Sequence, residues 1–461
     1  GLTGISAKSK RDRRKTGAVD LRITTITAGL LGLTMLSACS DPEVILPGER
    51  FGTREVLQDG GPADVVAPNT ARALSLAAST VNGSWAQSPV SPFARVENAA
   101  LNRALTQVFS VDIGAGDGRR QRINADPVVS GGRIFTMDSE HTVSAVSSSG
   151  QILWQKSMVP ARERSGQAQG GGLAAADGRI YVASGYGRLT ALDAATGAEI
   201  WEQRLGNTAT GAPTVAGGLV YLTSGDSRAW ALEAGNGRIR WQIDAPENIA
   251  NVAGAPAPAL SDKAVIFAFG NGAVQSAFRQ GGMRMWSADV VGSRIGSALA
   301  QVGDITGGPV IAGDTVYVGN HSGRIVAFRV GNGERLWTAR MGARGPVWPA
   351  GDSVFLVSDK NQLVRLDANS GEQIWAVDLP GYEPVRRPQR RRDSAYAHYG
   401  PVMAGGRLVL ASSDGLLRSF DPASGALIAA TEVPGGATTA PAIANGTLYV
   451  VTKTGQLAAY R

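Results

Sequence analysis

Gly187-Arg-Leu-Thr-Ala-Leu-Asp-Ala-Ala-Thr-Gly-Ala-Glu-Ile-Trp201 is the unit from which most of this 461-residue chain is built. Leu189 and Ala191 alternate with polar residues as in a strand, Asp193 to Gly197 has the composition of a tight turn, and Ala198 to Trp201 opens a second strand. Asp193 and Thr196 suit the turn because their side chains bond nearby backbone, and Gly197 tolerates positive φ. The stretch predicts a β-hairpin ending on a large aromatic surface.

The hairpin returns at Gly323 to Trp337, Asn361 to Trp375 and Gly415 to Ala429, and more loosely at His141 to Trp154, Ser227 to Trp241 and Gly272 to Trp286. Six residues before each copy stands an apolar or aromatic residue behind a Gly-rich turn: Phe135, Tyr181, Tyr221, Ile266, Tyr317, Phe355 and Val409. Tyr449 and Gly455 repeat the step an eighth time. Units spaced 38 to 54 residues apart fit a propeller whose blades are four-stranded sheets. In each, a Pro- or Gly-rich lead-in precedes strand A, the aromatic position marks strand B, and the hairpin supplies C and D.

The eighth unit stops after its C strand, Gln456 to Tyr460. Its missing D strand is legible near the other end, in Leu105-Thr-Gln-Val-Phe109-Ser-Val-Asp112, with Phe109 at the Trp position. Pairing the two would remove an exposed edge. The expected fold is therefore all-β: an eight-bladed propeller over residues 105–461, closed by an N-terminal strand that completes the last blade.

Residues 1–38 are expected to be a lipoprotein signal peptide. Lys8, Lys10, Arg11, Arg13, Arg14 and Lys15 form a basic start, Ile23 to Leu36 is a mostly apolar run shorter than the roughly 20 residues of a membrane-spanning helix, and Leu36-Ser-Ala-Cys39 follows. That tetrapeptide resembles a bacterial lipobox, which implies lipidation of Cys39. Cys39 is the only cysteine, so no intrachain disulfide is possible. Ser40 follows it, and without an Asp there the expected destination is the periplasmic face of the outer membrane. The formal net charge of +7 falls to about +2 once residues 1–38 are set aside, which gives no reason to expect nucleic acid. Residues 39–104, rich in Pro, Ala, Ser and Asn, read as a lipidated N-terminus and partly ordered tether, with Trp85 a candidate cap for the ring.

The step from the D-strand aromatic position to the next strand-B position is 27, 20, 25, 31, 18, 34 and 20 residues, so length variation collects in the D-to-A connections. These all open on one face of a propeller, which is where a repeat protein usually binds its partners.

The pattern Ala-x-Asp-x-x-Thr/Ser-Gly-x-x-x-Trp, clearest at Ala191 to Trp201 and partial at Arg365 to Trp375, resembles quinoprotein (PQQ-type) blades. Two families share it: PQQ-dependent dehydrogenases and BamB, the lipoprotein subunit of the outer-membrane β-barrel assembly machine. Lipobox, eight blades and a terminal C strand together resemble the BamB family. The resemblance implies a non-catalytic scaffold that docks on the periplasmic (POTRA) domains of BamA and assists unfolded outer-membrane proteins. It also implies partner contacts in two loops. One corresponds to Asn248-Ile-Ala-Asn251-Val252-Ala-Gly-Ala-Pro256, where Ile249, Asn251 and Val252 are the candidates although the family's leucines and arginine are not reproduced. The other contains Ile295 and ends in Asp304-Ile305-Thr-Gly-Gly-Pro309, with Asp304 and Ile305 as candidates.

The alternative is a PQQ-dependent dehydrogenase or another periplasmic ligand-binding propeller. Such dehydrogenases use a carboxylate-held Ca²⁺, a catalytic Asp and typically an adjacent cysteine pair, and a single Cys cannot supply that pair. No run with oxygen-ligand spacing stands out, and His141, His321 and His398 are scattered, so neither cofactor nor metal is expected. Gly114-Ala-Gly116-Asp-Gly118 and Gly170 to Gly172 lack the strand-to-helix setting of a phosphate loop and read as turns. Arg386-Arg387-Pro-Gln-Arg390-Arg391-Arg392 has no interleaved aromatics for stacking bases and reads as a solvated loop for lipid phosphate or an acidic partner. Trp230 and Trp348 lie off the repeat position; core packing is expected of both, with a ligand-facing role as the alternative.

Overall fold

A computed structural model describes residues 68–461 except 207–208, 226, 246–255, 271, 291–306, 321–322 and 382–394. Cys39 and the rest of residues 1–67 lie outside it. Among the described residues the strands form eight four-stranded antiparallel sheets, seven of them meanders of consecutive strands. The second blade, Gly171–Ala176, Arg179–Ser184, Arg188–Asp193 and Glu199–Arg204, is representative. Its B and C strands are buried along most of their length, while its D strand alternates toward solvent at the rim.

One transverse row repeats in every blade. In the second it runs Ala174, Tyr181, Ala191, Trp201 across strands A to D. The small residue on strand C lets the two large rings lean together over it, Tyr181 and Trp201 at 6.0 Å between centroids. A register shift just before the Trp turns the preceding residue outward, so Ile200 is 40% exposed while Trp201 is buried. The residue opening each hairpin takes positive φ in all eight units. Five are Gly, and His141, Ser227 and Asn361 occupy the other three at φ 63°, 61° and 59°.

Each D-strand Trp also joins its blade to the next. The indole N–H of Trp154, Trp201, Trp241, Trp286, Trp337 and Trp375 donates to the C-to-D turn of the following blade, at Ala194, Ala234, Arg279, Val330, Ala368 and Pro422 oxygens, over 2.7–3.0 Å. The tryptophans therefore pack between blades, as their spacing predicts. Trp230 is also core: it is buried and donates to Ser224 Oγ at 2.9 Å.

The last blade is Ala442–Ala444, Thr447–Val451 and Gln456–Tyr460, completed by Gln107–Asp112. Phe109 pairs with Ala459 and stands 6.3 Å from Tyr449, occupying the Trp place in the row. The ring closes through the strand expected from sequence. This closure explains why the seventh blade carries Ala429 at the aromatic position: the eighth blade has no C-to-D turn for an indole to reach.

The stretch expected as tether docks on the ring from residue 69 onward. Residues 69–102 form a strap that touches all eight blades. Trp85 and Val129 exchange two backbone hydrogen bonds, and Ala175, Val215, Ile311, Gly351, Gly405 and Asn445 each donate an N–H to the strap. Arg279 in blade four places its guanidinium 5.7 Å from Phe93. Several of these residues lie at or beside A-to-B turns, so the strap covers the face opposite the D-to-A connections.

Candidate functional site

The residues expected to meet a partner, Ile249, Asn251, Val252, Ile295, Asp304 and Ile305, fall in 246–255 and 291–306, outside the described residues. Arg386 to Arg392 and His321 also fall outside. What the described residues show is the frame that presents these loops. In an antiparallel meander the D-to-A connections leave from the same end of every sheet, and here that end surrounds a central well of about 390 Å³.

The well is walled by the lead-ins to strand A. Blade one gives Arg122 to Val128, blade six Arg344 to Trp348, blade seven His398 to Val402 and blade eight Thr438 to Pro441. Trp85, Gln87, Ser88 and Pro89 of the strap contribute from the opposite face and form its floor. Core packing is what the sequence favours for Trp348, and the structure places it in the core at the edge of the well. It is buried, and it lines the well stacked on Trp85 at 6.1 Å and 7° between planes. The off-repeat positions of both rings were the available signal.

Charge in the wall is mixed. Asp126 accepts the Ala440 N–H at 3.0 Å, and its neighbour Asp117 accepts from Ile123 N and from Thr438 Oγ1, at 2.7 and 2.6 Å. Asp126 reaches water in the well yet is ringed by protein, and that desolvation raises its pKa to about 6 against the lowering effect of the Ala440 hydrogen bond. Burial lowers the pKa of His398, whose ring bonds Ser412 Oγ and Pro380 O at 2.6 and 2.8 Å. His141 lies apart from the well, accepting the Gly185 N–H on Nε2 at 3.0 Å, and burial depresses its pKa to about 4. No group of three or more His, Cys, Asp or Glu among the described residues is placed to hold a metal ion.

A second feature escaped the sequence reading. Strand C carries Ala or Ser at the row position in the other blades, but in blade six it carries Arg365, which is fully buried. Its guanidinium donates to Ser353 Oγ at 2.8 Å and to the carbonyl oxygens of Arg72 and Ala73 in the strap and Pro422 and Ala423 in blade seven. Arg72 in turn pairs with Asp352 and Asp367 at 3.0 and 2.9 Å. The signal was an arginine in a small-residue column, and without the strap in view it had no partner to suggest.

The family model described as outer membrane protein assembly factor BamB matches residues 139–377 and 366–461. Among curated relatives, BamB of Salmonella typhimurium is 29% identical over 258 residues, covering 55% of this chain and 65% of the relative. BamB of Moranella endobia is 22% identical over 259 residues, 55% of this chain and 66% of the relative. The chain thus spans slightly less than two thirds of these relatives' lengths. The crystal structure of BamB from Moraxella catarrhalis superposes with a TM-score of 0.60 at 21% identity, covering 78% of this chain and 98% of that one. Quinohemoprotein alcohol dehydrogenase from Comamonas testosteroni gives 0.61 at 16% identity, with 82% and 80% covered. At such identities the likeness is one of fold, shared by an assembly factor and an enzyme alike.

Proposed function

The chain belongs to the family of outer membrane protein assembly factor BamB, and on that premise we propose that it is a non-catalytic scaffold of outer-membrane β-barrel assembly. In this reading it is anchored through lipidated Cys39 at the periplasmic face of the outer membrane. It docks on the POTRA domains of BamA and assists the folding of outer-membrane proteins. The observation that carries the reading is the extent of the family match, which runs from the first blade to the end of the last one, whereas the dehydrogenase likeness is a likeness of shape. The docking face is the one bearing the D-to-A connections, since the strap occupies the other. Ile249, Asn251 and Val252 of one connection and Ile295, Asp304 and Ile305 of another are the residues proposed to make the contact.

Affinity purification from detergent-solubilised membranes tests this. BamA is expected to co-purify in near-stoichiometric amount, and intact-mass analysis is expected to find Cys39 acylated with residues 1–38 removed. A preparation that leaves BamA behind and binds PQQ saturably in a Ca²⁺-dependent way would establish the dehydrogenase alternative instead.

A further inference from the structure

Blade four departs from the repeat at the turn between its third and fourth strands, where the Phe278 N–H donates to Met283 O at 2.8 Å. The other blades close this turn with the same bond. Its donor is Ser147, Asp193, Glu233, Arg329, Asp367 or Asp421, and its acceptor Gln151, Ala198, Arg238, Glu334, Glu372 or Ala426. Where those blades place small or polar side chains, blade four sets two large apolar ones opposite each other, Phe278 41% and Met283 71% exposed. The fold does not require them: Asp193, Asp367 and Asp421 brace their turns by accepting backbone N–H bonds from within, which a phenylalanine cannot do.

The strap adds a third apolar group beside the same turn. Phe93, 53% exposed, stands over the Arg279 guanidinium, which is fixed by Tyr221 Oη and by the Ser261 and Asp262 carbonyl oxygens at 3.1–3.3 Å. Arg279 N donates to Lys263 O, so the third-to-fourth-strand turn is tied to the first-to-second one. Arg279 with the exposed Lys263 and Arg284 gives the patch a positive border against Asp262. Single exposed apolar side chains are ordinary. Three around one braced turn, two of them at positions other blades keep small or polar, mark an interaction surface.

We propose that this corner of blade four is a membrane contact, at which Phe93, Phe278 and Met283 enter the boundary between headgroups and acyl chains while the bordering cations meet lipid phosphate. The proposal rests on the reading of Cys39 as a lipid anchor. Cys39 and Asn69, where the strap joins blade six, are 30 positions apart, so whatever its conformation the connection spans at most about 100 Å and a bilayer stays within reach of the ring. The shape of the patch favours the same occupant. Side chains more than half exposed on turn tips project from the surface, and a fluid bilayer receives projecting groups without a matching pocket. Contact through this face would turn the D-to-A connections away from the membrane, toward a periplasmic partner.

The test uses the mature lipoprotein in vesicles of phosphatidylethanolamine and phosphatidylglycerol. Acylation occupies the sulfur of Cys39, so Met283→Cys supplies a unique thiol for the fluorophore NBD. Phospholipid spin-labelled in its acyl chains is expected to quench most of the emission at 283. Probes at Lys360→Cys, on the opposite face in blade six, and at Ser149→Cys, in the corresponding turn of blade one, are expected to keep theirs. Phe93→Ser with Phe278→Asp, the latter restoring the residue of blades two, six and seven, is expected to abolish quenching at 283 while circular dichroism shows the ring folded. An unquenched probe at 283 on protein that floats with the vesicles, or equal quenching at 360 or 149, would overturn the contact and leave the anchor standing. Protein that does not float would overturn the anchor and this contact with it. Shielding of the 283 probe from aqueous iodide by BamA's periplasmic domains, in detergent without vesicles, would assign the patch to a protein partner instead.

Discussion

Trp201 of the second blade lies against Gly237 of the third so closely that a Cβ on the glycine would come within 2.4 Å of the indole. The same contact joins Trp154 to Gly197, Trp241 to Gly282, Trp286 to Gly333, Trp337 to Gly371 and Trp375 to Gly425. Phe109 meets Gly150 likewise, so the closing blade hands on to the first by the same device. Gly237 has φ of 74°, which a side chain tolerates poorly even apart from the contact. Gly237→Ala is therefore expected to destabilise the ring by about 2 kcal/mol or more, and Trp201→Ala by about 3–5 kcal/mol. Urea denaturation followed by circular dichroism measures both, and a neutral Gly237→Ala would show that the junction relaxes freely.

Closure by Phe109 predicts what deletion does. Excising residues 105–113, with the strap retained, deletes the outer strand of the eighth blade and exposes the edge at Gln456–Tyr460. The shortened chain is expected to aggregate at concentrations where the full chain is monodisperse by light scattering. A soluble, cooperatively unfolding deletion variant would contradict the observed pairing.

Burial of Arg365 predicts the behaviour of the strap. Arg365→Ala restores the residue found at this row position in other blades, yet leaves Ser353 Oγ and several carbonyl oxygens without their donor. We expect a loss of about 3 kcal/mol or more, together with proteolytic cleavage in residues 69–80 that the unaltered chain resists. Arg365→Lys is expected to recover part of this, since an ammonium reaches fewer of those carbonyl groups.

The histidine in the left-handed position makes stability pH-dependent. His141 is held neutral with a folded pKa of about 4, below the unfolded 6.5, so the unfolded chain binds more protons between those values. The stability it confers is complete above about pH 6.5 and lost by about pH 4, a total of roughly 3 kcal/mol. Asp126, raised to about 6, acts in the opposite sense between about pH 4 and 6, where rising pH charges a group that the fold prefers neutral. His141→Asn keeps a residue type that Asn361 shows to be at home with positive φ. Its stability is expected to fall less than that of the unaltered chain from pH 6.5 to 4, and Asp126→Asn to fall more.

Legibility in the sequence followed periodicity. The Tyr181, Ala191 and Trp201 columns recur because each blade must pack the same surfaces against its neighbours, and so blade number, strand order and closure by Phe109 could all be read from spacing. The strap obeys no period: Trp85, Gln87, Val90 and Ala99 each meet a different blade, and nothing in a Pro- and Ser-rich stretch announces which. Arg365 and Trp348 were visible as departures from their columns, but the partners that explain them lie about 290 and 260 residues away in the chain. The well is likewise assembled from the lead-ins of separate blades, so no local pattern reveals it.

The most direct test of the assembly role is titration of BamA's periplasmic domains by calorimetry with the unaltered chain and with the Ile249→Asp, Asp304→Arg double variant, both checked for fold by circular dichroism. Residues at the centre of an interface each cost about 2 kcal/mol or more on disruption. The account predicts saturable binding by the unaltered chain and at least a hundredfold loss, about 2.7 kcal/mol, in the folded double variant. Equal binding by both would contradict the placement of the interface on these loops, and no binding by either would contradict the assembly role itself.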